Sequence, residues 1–209
     1  SWQVCDVGLA GFDARSLTFG ALPPGWHAQR PSLSPDGRWL AFDAAPPDTG
    51  GGAAAASDIY VLDLATRALT RLTDDPAPDR FPSFFPDGRT LIFRSERDGN
   101  SELYTVAADG TALRRVTHDP AYDAYATVSP DGRTVAFQSS RTGRDGVHLL
   151  DLASGAVRDA TDGLRAYREP RFTPDGRALV ALAYDEGPGQ PFDGPSSGHH
   201  HEIVRLPIA

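Results

Sequence analysis

Three consecutive histidines and a glutamate, His199-His200-His201-Glu202, are the residues of this 209-residue chain that most directly suggest metal chemistry. Adjacent residues of a strand point to opposite faces, so His199 and His201 could share one divalent ion from which Glu202 is excluded. His27 could add a ligand if the chain closes into a ring. The alternative is adventitious binding by a loop. We therefore predict either a divalent metal site at His199 and His201 or no cofactor.

Aromatic and arginine residues recur in four short segments that precede apolar strands. These residue types are enriched at the centres of interfaces because they combine a large contact area with bidentate hydrogen bonding. We therefore predict a surface that binds a ligand or partner. The alternative is that the same residues fill a channel and form ion pairs between neighbouring repeats. The predicted partner-binding residues are Trp26, His27, Arg80, Tyr125, Tyr167 and Arg168.

Familiar catalytic and nucleotide-binding signatures are absent from the sequence. It contains no Gly-x-Ser-x-Gly turn, no phosphate-binding glycine loop, no His-Glu-x-x-His and no dinucleotide fingerprint. The neighbouring carboxylates Asp74 and Asp75 show no acid/base asymmetry, and exposed linker acids are the simpler interpretation. No catalytic residue is assigned.

The composition argues against two classes of partner. With 20 basic and 28 acidic residues the chain has a net charge of -8, which disfavours binding to a phosphate backbone. We therefore expect no nucleic-acid partner. No run of 18 apolar residues occurs, so we expect no membrane span either. Cys5 is the only cysteine, which excludes an intramolecular disulfide.

One tetrapeptide, Pro-Asp-Gly-Arg, occurs four times, at spacings of 51, 44 and 44 residues. Proline presets the first turn position, aspartate forms local hydrogen bonds, and glycine adopts the positive φ that strains other residues. We predict that each copy joins two antiparallel strands and that its aspartate is a turn residue rather than a catalytic carboxylate. The copies begin at Pro35, Pro86, Pro130 and Pro174.

Each copy lies in a unit of four short strands separated by turns, and units of roughly 40–45 residues have the size of a propeller blade. Segments such as Ile59-Tyr60-Val61-Leu62 are apolar on both faces, which fits a blade packed between neighbours. No stretch of ten or more residues free of proline and glycine shows helical periodicity. We predict an all-β fold, a β-propeller of four-stranded antiparallel blades, with about four blades in this chain.

The tetrapeptide, together with Ile59-Tyr60-Val61-Leu62-Asp63-Leu64 and Arg71-Leu72-Thr73, resembles the TolB-type β-propeller repeat, a family of WD-repeat-like propellers. The resemblance runs from about Arg30 to Tyr184. It implies a propeller fold, an interaction role and a periplasmic or extracytoplasmic location, with the cytoplasm as the alternative. Similar repeats also occur in gating propellers fused to serine peptidases and in polysaccharide lyases.

We expect one propeller domain over residues 1–209. The last blade lacks its fourth strand, whereas Trp2–Val7 and Arg15–Phe19 resemble a third and a fourth strand. These strands could close the ring, the chain could belong to a larger ring, or two chains could associate to complete one. The expected parts are closing strands at 1–20, blades at 28–73, 79–117 and 123–161, and an incomplete blade at 167–209.

Two insertions, Ala45–Ser57 and Asp185–His200, fall between second and third strands, on the face that also receives the linkers between blades. Variable loops on a rigid scaffold often carry function, although idle expansions are the alternative. We predict an interaction scaffold that binds a protein or peptide at this long-loop, channel-mouth face. The alternatives are a metal-assisted saccharide lyase or hydrolase, and a gating propeller of a larger hydrolase.

Overall fold

The computed structural model describes residues 3–7, 14–18, 20–47, 56–184 and 201–208. Seventeen strands run through this part of the chain, and no helix occurs in it. The strands are β1 (Cys5–Val7), β2 (Ala14–Ser16), β3 (His27–Leu33), β4 (Trp39–Ala45), β5 (Asp58–Asp63), β6 (Leu69–Arg71), β7 (Asp79–Phe84), β8 (Thr90–Ser95), β9 (Glu102–Ala107), β10 (Arg114–Arg115), β11 (Asp123–Val128), β12 (Thr134–Ser139), β13 (Gly146–Asp151), β14 (Val157–Asp159), β15 (Ala166–Phe172), β16 (Ala178–Tyr184) and β17 (His201–Pro207).

Consecutive strands pair antiparallel in simple meanders. Strands β3–β6 form the first blade, β7–β10 the second and β11–β14 the third. Strands β15–β17 form a three-stranded fourth blade, and β1 pairs with β2 in a two-stranded sheet. The predicted all-β fold of antiparallel propeller blades is confirmed. Closure of a ring by the N-terminal strands stays a prediction.

Contacts within the chain define two compact units, Ser1–Val116 and Thr117–Ala209. The first unit contains β1 to β10, and the second contains β11 to β17. In the part of the chain that the structure describes, no helix is long and apolar enough to cross a membrane.

The tetrapeptide turns have the predicted chemistry. In the first copy, the Asp36 carboxylate accepts a hydrogen bond from the Arg38 amide at 3.0 Å. The Ser34 hydroxyl and this amide lower the pKa of Asp36, which keeps the carboxylate an acceptor. The turn glycines have φ between 65° and 73°, a region that favours glycine. The equivalent amide-to-carboxylate bonds are Arg89–Asp87 (2.8 Å), Arg133–Asp131 (3.1 Å) and Arg177–Asp175 (3.0 Å).

The core lies between the broad faces of neighbouring sheets within each unit. All six residues of β5 are buried, as expected for a strand with apolar side chains on both faces. Burying one large apolar side chain contributes about 2–3 kcal/mol, so sandwiched strands dominate the stability of each blade. Central core residues are Ile59, Phe84, Leu91 and Phe93 in the first unit, and Val147, Leu149, Tyr167 and Leu179 in the second.

Candidate functional site

The first strand of every blade contains a β-bulge at the same place. In the first blade, the pairing of β3 with β4 shifts register between Gln29 and Ser32, and the first strands of the other blades shift equivalently. Within each shift one non-glycine residue has a positive φ. We call these four the bulge residues: Arg30 (53°), Phe81 (59°), Tyr125 (53°) and Glu169 (52°).

Positive φ is strained for a residue that carries a Cβ atom, because this atom approaches neighbouring backbone groups. Each such residue costs on the order of 1–3 kcal/mol and persists only where its surroundings enforce the conformation. Strain and bulges of this kind cluster at functional sites, where they aim a side chain. The four blades share the bulge but differ in the residue type that it presents.

In the first unit, one buried carboxylate connects two bulges. The Asp43 side chain pairs with the Arg30 guanidinium at 3.2 Å and accepts a hydrogen bond from the Phe81 amide at 3.2 Å. The Arg30 guanidinium in turn lies 4.2 Å from the centroid of the Phe81 ring. Asp43, on β4 of the first blade, therefore fixes the bulges of both the first and the second blade.

Burial disfavours the charged form of the Asp43 carboxyl. Burial raises the pKa of this carboxyl, and Arg30, the Phe81 amide and Arg80 oppose the rise. The Asp43 side chain is only 4% exposed, whereas that of Arg30 is 35% exposed. A partner carboxylate can therefore reach Arg30 from solvent and compete with Asp43 for it.

Two further arginines lie close to this region: Arg80, which precedes Phe81 in the strand, and Arg94, whose guanidinium approaches the Phe81 ring. The Arg80 Nε donates to the Ser57 hydroxyl at 3.1 Å, and this hydroxyl donates to the backbone oxygen of Asp79 at 3.1 Å. The Arg94 guanidinium lies 5.9 Å from the centroid of the Phe81 ring and forms an ion pair with Glu96. Phe81 is thus bordered by cations, which bind aromatic faces and carboxylates alike.

The second unit has an aromatic and cationic group next to its last bulge. The Arg168 guanidinium lies 4.1 Å from the centroid of the Tyr184 ring. The Tyr184 hydroxyl donates to Asp145 at 2.9 Å, and the Gln138 amide donates to the same carboxylate at 2.8 Å. Burial raises the pKa of Tyr184, so its phenol stays protonated and remains a donor.

Three of the predicted partner-binding residues lie at or beside bulges. Tyr125 is a bulge residue, and Arg80 and Arg168 immediately precede the bulge residues Phe81 and Glu169. Whether they contact a partner stays a prediction.

The other three predicted residues lie further upstream. Trp26 packs its half-buried ring edge-on against Tyr60, with centroids 6.1 Å apart. His27 begins β3 and is half-buried, and Tyr167 is buried with its hydroxyl donating to Asp162 at 3.1 Å. The sequence placed all six in segments before the first strands, but five lie within those strands, because pairing with the second strand extends upstream of the bulge.

The predicted metal ligands fall at the margin of the described structure. His199 lies outside the described residues, as do residues 185–200 as a whole, and only the backbone of His201 is described, at the start of β17. Among the described residues, no group of three or more His, Cys, Asp or Glu side chains could hold a metal ion. A metal at His199 and His201 stays a prediction, which metal analysis of the purified chain and of a His199→Ala/His201→Ala variant tests.

The sequence reasoning missed five residues of the site. These are the bulge residues Arg30, Phe81 and Glu169, and the buried partners Asp43 and Arg94. The bulge residues had a usable signal, because each of the four lies five residues before the proline of a tetrapeptide. The two buried partners had none, since they are ordinary strand residues by pattern.

Comparison with known families tests the fold. A family model described as the TolB beta propeller domain matches residues 21–190. The chain belongs to this family. The match covers the tetrapeptide turns, the bulges and the strands that carry them.

Individual TolB proteins are similar over shorter ranges or at lower identity. The Tol-Pal system protein TolB of Bordetella pertussis is 39% identical over 49 residues, which is 23% of this chain and 11% of that protein. The crystal structure of TolB from Acinetobacter baumannii is 27% identical with a TM-score of 0.69, covering 85% of this chain and 44% of the other. This TolB-family chain thus spans less than half of either protein.

A protein provisionally assigned as TolB in Agrobacterium tumefaciens has a similar structure. Its TM-score is 0.75 at 23% identity, and the match covers 97% of this TolB-family chain and 74% of the other. At this identity the likeness concerns the fold alone.

Proposed function

We propose that this chain is a partner-binding propeller that binds a protein or peptide segment at the bulge residues of the first unit, Arg30 and Phe81, and at the arginines beside them. The observation that carries the proposal is the repeated bulge: four strained, non-glycine positions present four different side chains from one backbone geometry. Strain of this kind needs continuous support from its surroundings and serves to position side chains.

The charge around the first two bulges indicates what the partner offers. The guanidinium groups of Arg30 and Arg94 lie near the Phe81 ring, and Arg80 precedes Phe81 in the same strand; Asp43 and Glu96 oppose these three cations, in a chain whose net charge is -8. The surface is therefore locally positive within an acidic protein. A segment that combines carboxylates with an apolar or aromatic side chain complements it.

The relatives suggest where such a partner is found. The Bordetella pertussis relative is described as a Tol-Pal system protein, so proteins of that system are the first candidates, and an extracytoplasmic location follows by family resemblance. The proposed surroundings of the partner are on the long-loop side of the first unit, where the insertion at 45–57 falls between the second and third strands. Trp26 and His27, both half-buried in the same unit, are proposed as outer contacts.

The test is calorimetric titration of the chain with purified Tol-Pal system proteins from its own source organism. We expect one of them to bind, and expect Arg80→Ala and Phe81→Ala to weaken binding at least tenfold. Interface arginines and aromatics in desolvated centres carry contributions of about 2 kcal/mol or more, which corresponds to such a change.

Arg67→Ala is the matched control. Arg67 is an arginine, like Arg80, and has a positive φ (65°), like Phe81. It lies, however, in the exposed turn between β5 and β6. It should leave binding unchanged. Circular dichroism in urea must show that all three variants fold. Absence of binding to every candidate, or equal weakening by Arg67→Ala, would contradict the proposal.

A further inference from the structure

Arg30 already contacts, within the chain, the two kinds of group that the proposed partner offers. Its guanidinium donates to the Asp43 carboxylate at 3.2 Å and lies 4.2 Å from the centroid of the Phe81 ring. The side-chain oxygen of Gln29 accepts a further hydrogen bond from it at 2.8 Å. A segment with carboxylates and an aromatic side chain would bring the same pair of groups to the arginine. Asp43 therefore takes the place of a partner carboxylate.

The two oxygens of the Asp43 carboxylate have different partners. Oδ2 accepts from Arg30, and Oδ1 accepts from the Phe81 amide at 3.2 Å. Through the first bond Asp43 offsets the charge of the arginine, and through the second it supports the positive φ of Phe81 (59°). An asparagine keeps an acceptor oxygen but has no charge, whereas an alanine has neither. Substitution can therefore separate the two tasks.

An acid at this place distinguishes the first blade from the others. The Asp43 side chain is 4% exposed and that of Arg30 is 35% exposed, so a partner reaches the arginine rather than the carboxylate. In each described blade, one residue of the second strand pairs with the residue that precedes the bulge residue. From the first blade to the fourth, these second-strand residues are Asp43, Arg94, Gln138 and Leu182.

We propose that Asp43 is an internal competitor of the partner's carboxylate for Arg30, and the positioning residue for Phe81. In the free chain Asp43 holds Arg30, and a bound segment takes the guanidinium over with its own carboxylate. An anion without a second contact gains little from this exchange, because one carboxylate replaces another. A segment that also packs against Phe81 gains that contact in addition. This inference rests on the proposed function, because it concerns the same arginine.

The probe is the peptide acetyl-Glu-Phe-Glu-amide, titrated into the intact chain and followed by NMR. We expect Asp43→Asn to bind it about tenfold more tightly than the parent chain, because no charge-assisted hydrogen bond to Arg30 has to be broken first. We expect Asp43→Ala to bind it more weakly than the parent chain, because the Phe81 amide loses its acceptor. A residue with a structural role alone would weaken binding in both variants, so the opposite signs identify the competitor.

Two further measurements make the result specific. Asp63→Asn is the matched control, because Asp63 pairs with Arg38 at 2.9 Å and the Arg38 guanidinium lies 5.2 Å from the centroid of the Trp39 ring, at the tetrapeptide turn of the same blade. This variant should bind the peptide as the parent chain does. Without peptide, phenylglyoxal should modify Arg30 about fivefold faster in Asp43→Asn than in the parent chain, since no carboxylate holds the guanidinium. Mass spectrometry follows this modification.

The outcomes separate this proposal from the proposed function. Peptide binding to the parent chain without a gain in Asp43→Asn, or an unchanged rate of modification at Arg30, overturns this proposal alone. Absence of peptide binding to the parent chain and to both Asp43 variants contradicts the proposed function, and this proposal with it. Circular dichroism in urea must show that the variants fold. If Asp43→Ala does not fold, Asp43→Asn and the modification rate give the answer.

Discussion

The outer halves of the second and third blades share one backbone but hold it with different chemistry. Both third strands pair with a short fourth strand in the same register. At three equivalent positions the second blade has an acid, a tyrosine and an arginine, and the third blade has a glycine, a histidine and an acid. The residues are Glu102, Tyr104 and Arg115 in the second blade, and Gly146, His148 and Asp159 in the third.

In the second blade the polar groups satisfy one another. The buried Glu102 carboxylate pairs with Arg115 at 2.7 Å and accepts from the Asn100 amide at 3.0 Å. Arg115 also pairs with Asp98 at 2.9 Å, and the Tyr104 hydroxyl donates to the same Asp98. One cation, Arg115, thus bridges two carboxylates, and each carboxylate also accepts a hydrogen bond from a neutral side chain.

In the third blade the equivalent space holds an imidazole. His148 is 1% exposed, and its ring lies 5.9 Å from that of Phe137, between centroids. Neither ring nitrogen meets a hydrogen-bond partner among the described residues. A Cβ atom added at Gly146 would lie 3.0 Å from the Thr161 hydroxyl, which is tight, and 3.4 Å from the imidazole, which is ordinary contact, so the glycine makes room chiefly for Thr161.

The two blades have the same backbone hydrogen bonds but accommodate their buried polar side chains in different ways. One solution is a closed ion-pair network. The other is a buried, neutral base. The two should respond differently to substitution and to pH, and the following changes separate them.

The largest effect is expected from Glu102→Ala. This substitution leaves Arg115 with Asp98 alone and removes a fully buried acceptor. Breaking one partner of a buried ion pair costs about 3 kcal/mol of the free energy of unfolding. Urea denaturation followed by circular dichroism measures it. A loss below about 1 kcal/mol would show that the network of the second blade is dispensable.

Gly146→Ala should cost about 2 kcal/mol, because the added methyl group would displace the Thr161 hydroxyl that lies 3.0 Å from it. The same urea titration measures this loss. The double variant Gly146→Ala/Thr161→Ser keeps the hydroxyl that the new methyl group meets, so we expect it to be no more stable than Gly146→Ala. If Gly146→Ala is neutral, the third blade does not depend on glycine at this position.

The pH dependence distinguishes the blades most directly. Burial lowers the pKa of His148 below 6.5; Arg141 adds to this, whereas Asp159, the Gly146 backbone and Asp123 oppose it. The folded form keeps the ring neutral, so His148 has no effect on stability above the unfolded-state pKa. As the pH falls below about 6.5, the unfolded chain binds a proton that the folded chain does not. Stability then decreases by up to about 1.4 kcal/mol per pH unit, until the folded pKa is reached.

His148→Phe should remove this slope between about pH 7 and about pH 5, as followed by urea denaturation. His118→Phe is the control, because His118 is exposed in the loop after β10. Equal slopes in the parent chain and in His148→Phe would rule out His148 as the acid-sensitive group of the third blade.

The smallest effect is expected at Glu202, which occupies in the fourth blade the register position of Glu102. It pairs with Arg165 at 2.8 Å, but its side chain is 63% exposed. Glu202→Ala should cost less than about 0.5 kcal/mol, and less still in high salt. A cost close to that of Glu102→Ala would show that register position, rather than burial, determines the contribution of the acid.

Much of the fold could be predicted, because the tetrapeptide specifies its own turn. Proline, aspartate and glycine each meet a local requirement, as the Asp36–Arg38 bond and the positive φ of Gly37 show. Because the tetrapeptide occurs four times, the same inference predicts four blades. Apolar residues on both faces of Ile59–Leu62 placed the core for the same reason.

The positive φ of the bulge residues could not be predicted from residue type, although their fixed spacing from the tetrapeptides marks the position. Phe81 has no intrinsic preference for positive φ; its conformation depends on Asp43, which lies 38 residues earlier and accepts a hydrogen bond from its amide. The clustering of arginine and aromatic residues drew attention to Arg80, Tyr125 and Arg168, which lie at or beside bulges. It did not predict the backbone geometry of the bulges. Interactions between distant residues, rather than composition, shape the candidate site.

The bulges also separate two properties of a blade: its stability, and the side chain that it presents at the bulge. A blade's stability depends on its turns and sandwiched strands, whereas the residue at the bulge is arginine in one blade, phenylalanine in another, then tyrosine and glutamate. Under the proposed function, a single substitution at a bulge changes the side chain offered to a partner while the turns and sandwiched strands that hold the blade stay the same. For protein engineering, the four bulge positions are therefore the ones at which we expect binding preference to change with little loss of stability.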